Sequence, residues 1–131
     1  CRSFTLFCLH ESILKFGQDF KNEQWVIEPF ANMVIALAVM DTGFKRYVNL
    51  DAGEYKDNTR DVVRLSVVNQ FENTVKNGSD IINYLFNGEK LHSTLNVVNK
   101  WQSKTGYCPD RIANQKAIVS TLYAHNKYYF N

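Results

Sequence analysis

The sequence predicts an all-α fold, a bundle of about five helices around one long central helix. Residues 29–40 form an apolar run that no charge interrupts, and apolar side chains recur along it with the spacing of a helix. No segment alternates apolar and polar residues with the period of two that a half-buried strand would show. Six glycines and two prolines are also few for the many tight turns of a β-protein.

Length and composition are typical of a single domain spanning residues 1–131. A chain of 131 residues is long enough to bury about two-thirds of its unfolded surface. The net charge of +2 is small, and the lysines and arginines form no stripe, so nucleic acid is not an expected partner. The sequence begins at Cys1 and not at methionine, so we expect a processed or partial chain without its targeting peptide.

The first helix is predicted from Arg2 to Phe16, and Gly17 ends it because glycine tolerates the positive φ common at helix C-termini. Its core face is predicted to consist of the large apolar side chains at helical spacing. These are Leu6, Leu9, Ile13 and Phe16, with Phe4, Phe7 and Leu14 widening the face.

The second helix is predicted to be the central one, starting near Asp19 or Asn22, both favourable N-caps, and ending near Leu50. Pro29 either kinks this helix or opens its main part, and a kinked continuous helix is favoured. A helix that is apolar over most of its circumference is normally surrounded by other helices. The apolar run is too short to cross a bilayer, which needs roughly 20 apolar residues. The predicted core stripe is Phe30, Val34, Leu37, Phe44 and Val48, with Met33, Ala36 and Met40 on a second flank.

The third helix is predicted to follow a polar loop at residues 51–58, and to start at Asn58 or Thr59. The sequence Asn-Gly-Ser at residues 77–79 leaves open whether this region is one helix or two, and Asn87-Gly88 ends it. The predicted core stripe is Val63, Val67, Phe71 and Val75, with Leu65 and Val68 beside it.

Two shorter helices complete the predicted bundle, separated by a loop at residues 104–106. The last helix begins at Pro109, and Asp110 suits the positive end of its dipole. The fourth helix has the stripe Leu91, Leu95, Val98 and Trp101, and the fifth has Ile118, Leu122, His125 and Tyr129. An aromatic tail, which suits either closure of the core or a docking edge, consists of Tyr123, Tyr128, Tyr129 and Phe130.

The sequence shows no catalytic or metal-binding motif. No glycine-rich phosphate loop is present. The histidines His10, His92 and His125 fall on three helices, none with a histidine or glutamate three or four residues later. We therefore expect partly exposed helical histidines, with no catalytic, cofactor-binding or metal-binding residue.

The three cysteines are expected to be unpaired and inert. Cys1 and Cys8 would lie about 10 Å apart on one helix, too far for a disulfide. Cys108 is at the predicted N-terminus of the last helix, where the dipole would lower a thiol pKa, but an inert thiol is favoured there. A reducing compartment is the simplest interpretation.

Three polar residues of the central helix, Asp41, Arg46 and Asn32, are predicted to have structural roles. Asp41 falls on the predicted core stripe, where a carboxylate must be paired. Asn32 is expected to be a hydrogen-bonded core amide. The candidate partners of Asp41 are Lys45 and Arg46 in the same helix, and Arg60 and Arg64 in the next one.

Several segments, taken in order, resemble the C-terminal helical region of very-long-chain-type acyl-CoA dehydrogenases. Each match is a helix-packing pattern and not a catalytic signature. The chain departs from the family pattern at Pro29 and at Gly43, so the central helix is expected to be bent relative to that of the family. The matching segments are KFGQDF (15–20), ANMVI (31–35), AVMDTGFKR (38–46), DIIN (80–83) and AHNKYYF (124–130).

The resemblance implies an accessory C-terminal domain of an acyl-CoA dehydrogenase-like flavoprotein of fatty acid β-oxidation. Such a domain serves packing, dimer formation or membrane association, while FAD and the catalytic residues belong to the upstream catalytic part. The implied partners are that catalytic part, in the same or another chain of an oligomer, and a membrane surface. The implied location is mitochondrial in a eukaryote and cytoplasmic otherwise. The alternative is a stand-alone helical interaction or assembly subunit of a larger mitochondrial complex.

Overall fold

The structure, a computed structural model, consists of α-helices joined by short connections, and it describes residues 1–50, 54–105 and 110–125. No strand occurs within these ranges, so the predicted all-α fold is confirmed. The long helix that contacts most of the others is α3 and not α2, which the sequence had indicated as central. The helices are α1 (Arg2–Phe16), a 3-10 helix (Gly17–Asn22), α2 (Gln24–Asn49), α3 (Glu54–Leu85), α4 (Gly88–Thr105) and α5 (Arg111–His125).

The chain divides into two compact units, and each is built from segments that are distant in sequence. Unit 1 comprises Cys1–Leu37 and Phe71–Gly106, and unit 2 comprises Ala38–Gln70 and Tyr107–Asn131. That the whole chain is one domain stays a prediction.

Unit 1 contains a continuous apolar core, to which α1, α2, α3 and α4 all contribute. The predicted stripe of α4 is confirmed, because Val98 is buried and its helical neighbours pack against the core. The buried residues are Phe4, Cys8, Val26, Met33, Ile81, Ile82, Leu85, Phe86 and Val98. Partly buried side chains around them are Phe16, Phe20, Phe30, Val75, Leu91, Leu95 and Trp101.

Helix α1 has the predicted bounds, and Gly17 has the expected positive φ of 56°. The predicted core face is correct in part, since Phe4 is buried and Phe16 packs against the core. The large residues Leu6, Ile13 and Leu14, however, are exposed. Besides Phe4, helix α1 buries the small residues Thr5, Cys8 and Ser12.

Helix α1 buries small residues because it approaches α3 closely at Gly78. A Cβ atom added to Gly78 would overlap the ring of Phe4 and lie 3.1 Å from Cε of Met33. The Cys8 thiol donates to the Gly78 carbonyl oxygen over 3.9 Å, and the Ser12 hydroxyl donates to the Cys8 carbonyl oxygen over 2.6 Å. Small side chains with satisfied polar groups therefore occupy the place predicted for leucine and isoleucine.

Helix α2 includes Pro29 in its interior, as favoured, but it starts at Gln24 because a 3-10 helix precedes it. The predicted core stripe of α2 is correct only in part: Phe30 packs against the core, whereas Val34, Phe44 and Val48 are exposed. The residues that α2 buries are Val26, Met33 and Ala36, two of which belong to the predicted second flank. The expectation that other helices surround α2 is therefore also wrong.

Helix α3 is continuous through residues 77–79, which settles the question of one helix or two. It begins at Glu54, so the predicted loop is helical from residue 54, and residues 51–53 lie outside the described ranges. Gly78 lies inside this helix at a position where any larger residue would overlap the ring of Phe4. The helix ends at Leu85, just before the predicted stop, and Gly88 has a positive φ of 58°.

Unit 2 contains the other end of α3, together with α5. The carboxylate Oδ1 of Asp110 accepts a hydrogen bond of 3.0 Å from the backbone N–H of Ala113, and so caps α5. The Thr121 hydroxyl donates to Oδ1 of Asn58 over 3.1 Å, and links α5 to α3. Pro109 lies outside the described residues, and α5 starts two positions later, at Arg111. Residues 104 and 105, predicted as loop, belong to α4.

Candidate functional site

Two stripes of apolar side chains lie exposed on unit 1. The first, here named the α1 face, consists of Leu6, Ile13 and Leu14, which recur at i, i+7 and i+8. The second, named the α2 face, consists of Ala31, Val34 and Ile35 at i, i+3 and i+4. Both spacings place the residues of each set on one side of a helix. Each helix thus presents an apolar stripe to solvent in addition to the one that it buries.

The degree of exposure excludes these residues from the core. Leu6 is 63% exposed, Leu14 68% and Ile35 59%. Single exposed apolar residues are normal on protein surfaces, whereas grouped ones mark binding sites. The α1 and α2 faces are therefore the first candidates for a functional site.

Helix α2 is also long and apolar enough to cross a membrane, by length and composition alone. Its 26 residues include a window of 18 with a mean hydropathy of at least 1.2, and only 17% of that window is buried. A core helix of a soluble protein meets the same criterion. The prediction that this run is too short for a bilayer is not supported once the whole helix is counted.

Asp41 is half-buried in unit 2 and forms an ion pair within its own helix. Its Oδ2 lies 2.8 Å from Nζ of Lys45, one of the partners expected from the sequence. Arg60, another expected partner, pairs instead with Asp57 at 3.3 Å. Arg46 is exposed near the end of α2. The geometry is that of a surface ion pair along a helix.

Asn32 is exposed, so the prediction of a core amide is wrong. Its side-chain Nδ2 donates to Oδ1 of Asn77 over 3.4 Å, and this contact joins α2 to α3 in unit 1. The reason is that α2 buries Met33, the residue that follows Asn32, so that Asn32 itself faces outward. Asn32 therefore contributes a surface contact.

The two histidines whose side chains the structure describes lie on different helices. His10 and His92 are exposed on α1 and α4, and the side chain of His125 lies outside the described residues. Within the described parts of the chain, no three His, Cys, Asp or Glu residues come together to hold a metal ion.

Of the cysteines, Cys1 and Cys8 are free, and Cys108 lies outside the described ranges. Burial raises the pKa of the Cys8 thiol to about 12. The thiol is therefore protonated at neutral pH and is a packing residue, because a nucleophilic cysteine must be a thiolate.

Of the predicted aromatic tail, only Tyr123 lies in the described region, and it is 84% exposed. It does not close the core. A second tyrosine that the sequence did not single out, Tyr84, donates its hydroxyl to Glu23 over 3.3 Å. The charge of Glu23 raises the pKa of Tyr84, and the Phe16 ring stacks on it at 6.1 Å between centroids. These contacts fix the 3-10 turn to α3.

A cavity of about 550 Å³ lies in unit 1 between α1 and α4. Its walls include Phe4, Phe7, Val97 and Trp101, with the hydroxyl groups of two α4 residues nearby. The sequence signal for Trp101 was its place on the α4 stripe. The exposed residue Val97 gave no signal, since the cavity depends on how two helices distant in sequence pack.

Comparison of the chain with known protein families, with curated proteins and with solved structures gives no match.

Proposed function

We propose that this chain is an accessory helical domain that binds another protein through its exposed apolar faces, and that it carries no catalytic residue. The partner is the catalytic part of an acyl-CoA dehydrogenase-like flavoprotein. The observation that carries the proposal is the α1 face, where Leu6, Ile13 and Leu14 are exposed while smaller residues fill the core beneath.

Covering the α1 face would contribute favourably to the association of two proteins. Fully burying one leucine or isoleucine side chain contributes roughly 1.5–3 kcal/mol. Three such residues on one side of a helix suit the apolar centre of an interface. The exposed residue His10 lies on the same side of the helix, one turn from Leu6 and one turn from Leu14, and adds a polar group to the face.

The sequence resemblance supports the identity of the partner. The segments that resemble very-long-chain-type acyl-CoA dehydrogenases include residues 31–35, which contain the α2 face. In that interpretation, the helix surfaces that are exposed in the isolated chain are covered by the flavin-binding part, in the same polypeptide or in another chain of the oligomer. FAD belongs to the partner, and this chain contributes packing and dimer support.

A second function, a stand-alone assembly subunit of a larger complex, would use the same two faces on a different protein partner. Association with a membrane is favoured by a separate observation, the length and apolar composition of α2. The three alternatives differ in what covers the faces, so they are separated by binding experiments.

The first test is the reading frame of the gene. We expect a flavin-binding dehydrogenase region upstream of Cys1 in the same polypeptide. A complete reading frame without such a region would restrict the proposed partner to a separate chain, which the binding experiment then tests.

The second test is binding in solution. The isolated chain is expected to be colourless, and to bind the separately expressed catalytic part, which is yellow with FAD, in sedimentation velocity. The double variant Leu6→Glu, Leu14→Glu is expected to weaken this binding by about 100-fold or more, because two charges would have to be desolvated.

Ile112→Glu provides the matched control, because Ile112 is 65% exposed on α5 and belongs to neither face. This variant is expected to bind normally. Equal binding by the double variant and the control would exclude the α1 face as the interface. Flotation of the chain with lipid vesicles, and no binding to the catalytic part, would favour the membrane instead.

A further inference from the structure

The cavity between α1 and α4 has the size and lining of a small-molecule site. Its volume of about 550 Å³ falls within the usual range for ligand pockets, roughly 300–1,000 Å³. Like most such pockets, it is lined mainly by aromatic and aliphatic side chains with a few polar groups. The apolar lining consists of Phe4, Phe7, Val97, Val98 and Trp101.

The aromatic wall of the cavity is held in place by packing on its far side. The Phe4 and Trp101 rings lie 5.4 Å apart between centroids, and Trp101 lies at the same distance from Phe71. Phe4 is only 9% exposed, and it also packs on Gly78. The Phe7 ring meets Phe86 edge-on at 6.4 Å. Because these rings are already positioned, a ligand would lose little affinity to ordering them.

Polar groups line both sides of the cavity, with Cys1 and Ser3 at the α1 end and two hydroxyl residues on α4. The hydroxyls of Ser93 and Thr94 both donate to the carbonyl oxygen of Lys90, over 3.0 and 2.7 Å. A hydroxyl has one proton and two lone pairs, so each oxygen can still accept a hydrogen bond from a ligand. Among the described residues that line the cavity, none has a charged side chain.

We infer that this cavity binds an uncharged aromatic small molecule that carries one N–H or O–H donor. Its rings pack between Phe7 and Trp101, and its donor bonds to Ser93 or Thr94 on α4. A cationic ligand is disfavoured because none of the described lining residues has a carboxylate. An anionic ligand could pair only with the N-terminal amine of Cys1, and burial lowers the pKa of that amine, which disfavours its charged form. This inference is independent of the proposed function, since it uses the α1–α4 cavity and neither apolar face.

The test uses phenylnaphthylamine, a neutral dye with three aromatic rings and one N–H group, whose fluorescence rises in apolar surroundings. Titration into the whole chain is expected to give saturable binding of about one dye per chain, as one cavity of this size allows. No saturable binding, or several dyes per chain, would overturn the inference, since the latter indicates adsorption to the exposed faces.

A cavity-filling variant locates the bound dye. Val97 lines the cavity and is 66% exposed, so Val97→Trp blocks the cavity without disturbing the core. We expect affinity to fall about tenfold or more, because the indole takes the place of the ligand. Val119→Trp is the control, on a residue of α5 that is 47% exposed and does not line the cavity. Equal affinity of the two variants would place the dye elsewhere, and would overturn the inference.

A second matched pair tests the hydrogen bond. Ser93 and Ser103 both lie on α4, and each donates to a backbone carbonyl of the preceding turn, but only Ser93 lines the cavity. Ser93→Ala is expected to weaken dye binding by about two- to tenfold, the usual range for one neutral hydrogen bond, and Ser103→Ala to leave it unchanged. An unchanged affinity in Ser93→Ala, together with unchanged binding in Thr94→Val, would overturn the assigned donor contact.

Discussion

The two sides of α1 are composed in opposite ways. The buried side consists of Phe4 and the small residues Thr5, Cys8 and Ser12, and the exposed side of Leu6, Ile13 and Leu14. A prediction from hydrophobicity alone would bury Leu6, Ile13 and Leu14 and expose the small residues. On the buried side, the Phe4 ring packs on Gly78 of α3 and the Cys8 thiol contacts the Gly78 carbonyl oxygen, so the positions beside Phe4 hold small side chains. The exposed side is free of that constraint, and its large apolar residues are best explained by a partner.

Helix α2 shows the same contrast in a milder form. Met33 and Ala36 are buried, while the neighbouring Val34 and Ile35 are exposed. In both helices, branched apolar residues are left exposed while small residues such as Cys8 and Ala36 are buried. Agreement between two helices argues that the exposed faces are a property of this surface, and not an accident of one segment.

The difference between the core and the exposed face is tested most directly by making the same substitution at one residue of each. Leu85 is 5% exposed in the core, and Leu14 is 68% exposed on the α1 face. Leu85→Ala is expected to lower the free energy of unfolding by about 2–5 kcal/mol, through lost burial and a residual cavity. Leu14→Ala is expected to change it by less than about 0.5 kcal/mol.

Urea denaturation of both variants measures these values. Should Leu14→Ala cost as much as Leu85→Ala, the α1 face would be part of a core, and the proposed interface would be lost.

The close approach at Gly78 is tested by two glycine substitutions of opposite expected sign. Gly78→Ala is expected to destabilise the chain by about 1–3 kcal/mol, because its methyl group would overlap the Phe4 ring. Gly43→Ala is expected to stabilise it by roughly 0.5–1 kcal/mol, because Gly43 is inside α2 and its nearest side-chain contact would be Val63 at 3.9 Å.

Thermal unfolding followed by circular dichroism measures whether each glycine substitution stabilises or destabilises the chain. A Gly78→Ala variant as stable as the parent would show that α1 and α3 can separate without cost. The size constraint on Cys8 and Ser12 would then no longer explain the buried side.

The Cys8 thiol gives a test that depends on pH. Burial raises its pKa from 9.0 to about 12, so between these values the unfolded chain has lost the proton that the folded chain retains. The unfolded state then binds fewer protons, so this contribution to stability is complete below pH 9.0 and falls as the pH rises toward 12.

The loss is expected to be about 1 kcal/mol by pH ~10. Urea denaturation of the parent chain and of Cys8→Ala near pH 8 and pH 10 separates this effect from other titrations. The difference in stability between the two proteins is expected to shrink at the higher pH. A constant difference would mean that Cys8 is open to solvent, contrary to the packed buried side.

Helix positions were largely predictable from the sequence, and the buried faces were not. The bounds of α1 follow from a periodic run ended by Gly17, which is a local signal. Which side of α1 faces inward depends on Gly78, seventy residues away, and no local pattern shows that a glycine inside a helix marks a helix contact. The α1–α4 cavity depends on the same packing, so its lining was not predictable beyond Trp101. Asp41 was recognised as a residue needing a partner, but its depth was overestimated because the stripe on which it lies is largely exposed.

The smallest expected effect concerns the ion pair of Asp41 on that stripe. Its size distinguishes a buried Asp41 from one on a solvated surface. If Asp41 were buried in a core, removing its partner Lys45 would leave a buried unpaired charge, at a cost of about 3–5 kcal/mol. The structure has instead an i,i+4 pair on a solvated helix, with the Lys45 side chain 69% exposed. Lys45→Gln is therefore expected to cost only about 0.3–0.5 kcal/mol at low salt, and almost nothing at ~1 M NaCl, where the Debye length is about 3 Å. Lys45→Arg, which keeps the charge, is the control and is expected to be nearly neutral at both salt concentrations. A cost of several kcal/mol that salt does not reduce would mean that this stripe is covered in the folded chain, so that α2 would bury the side that the sequence indicated.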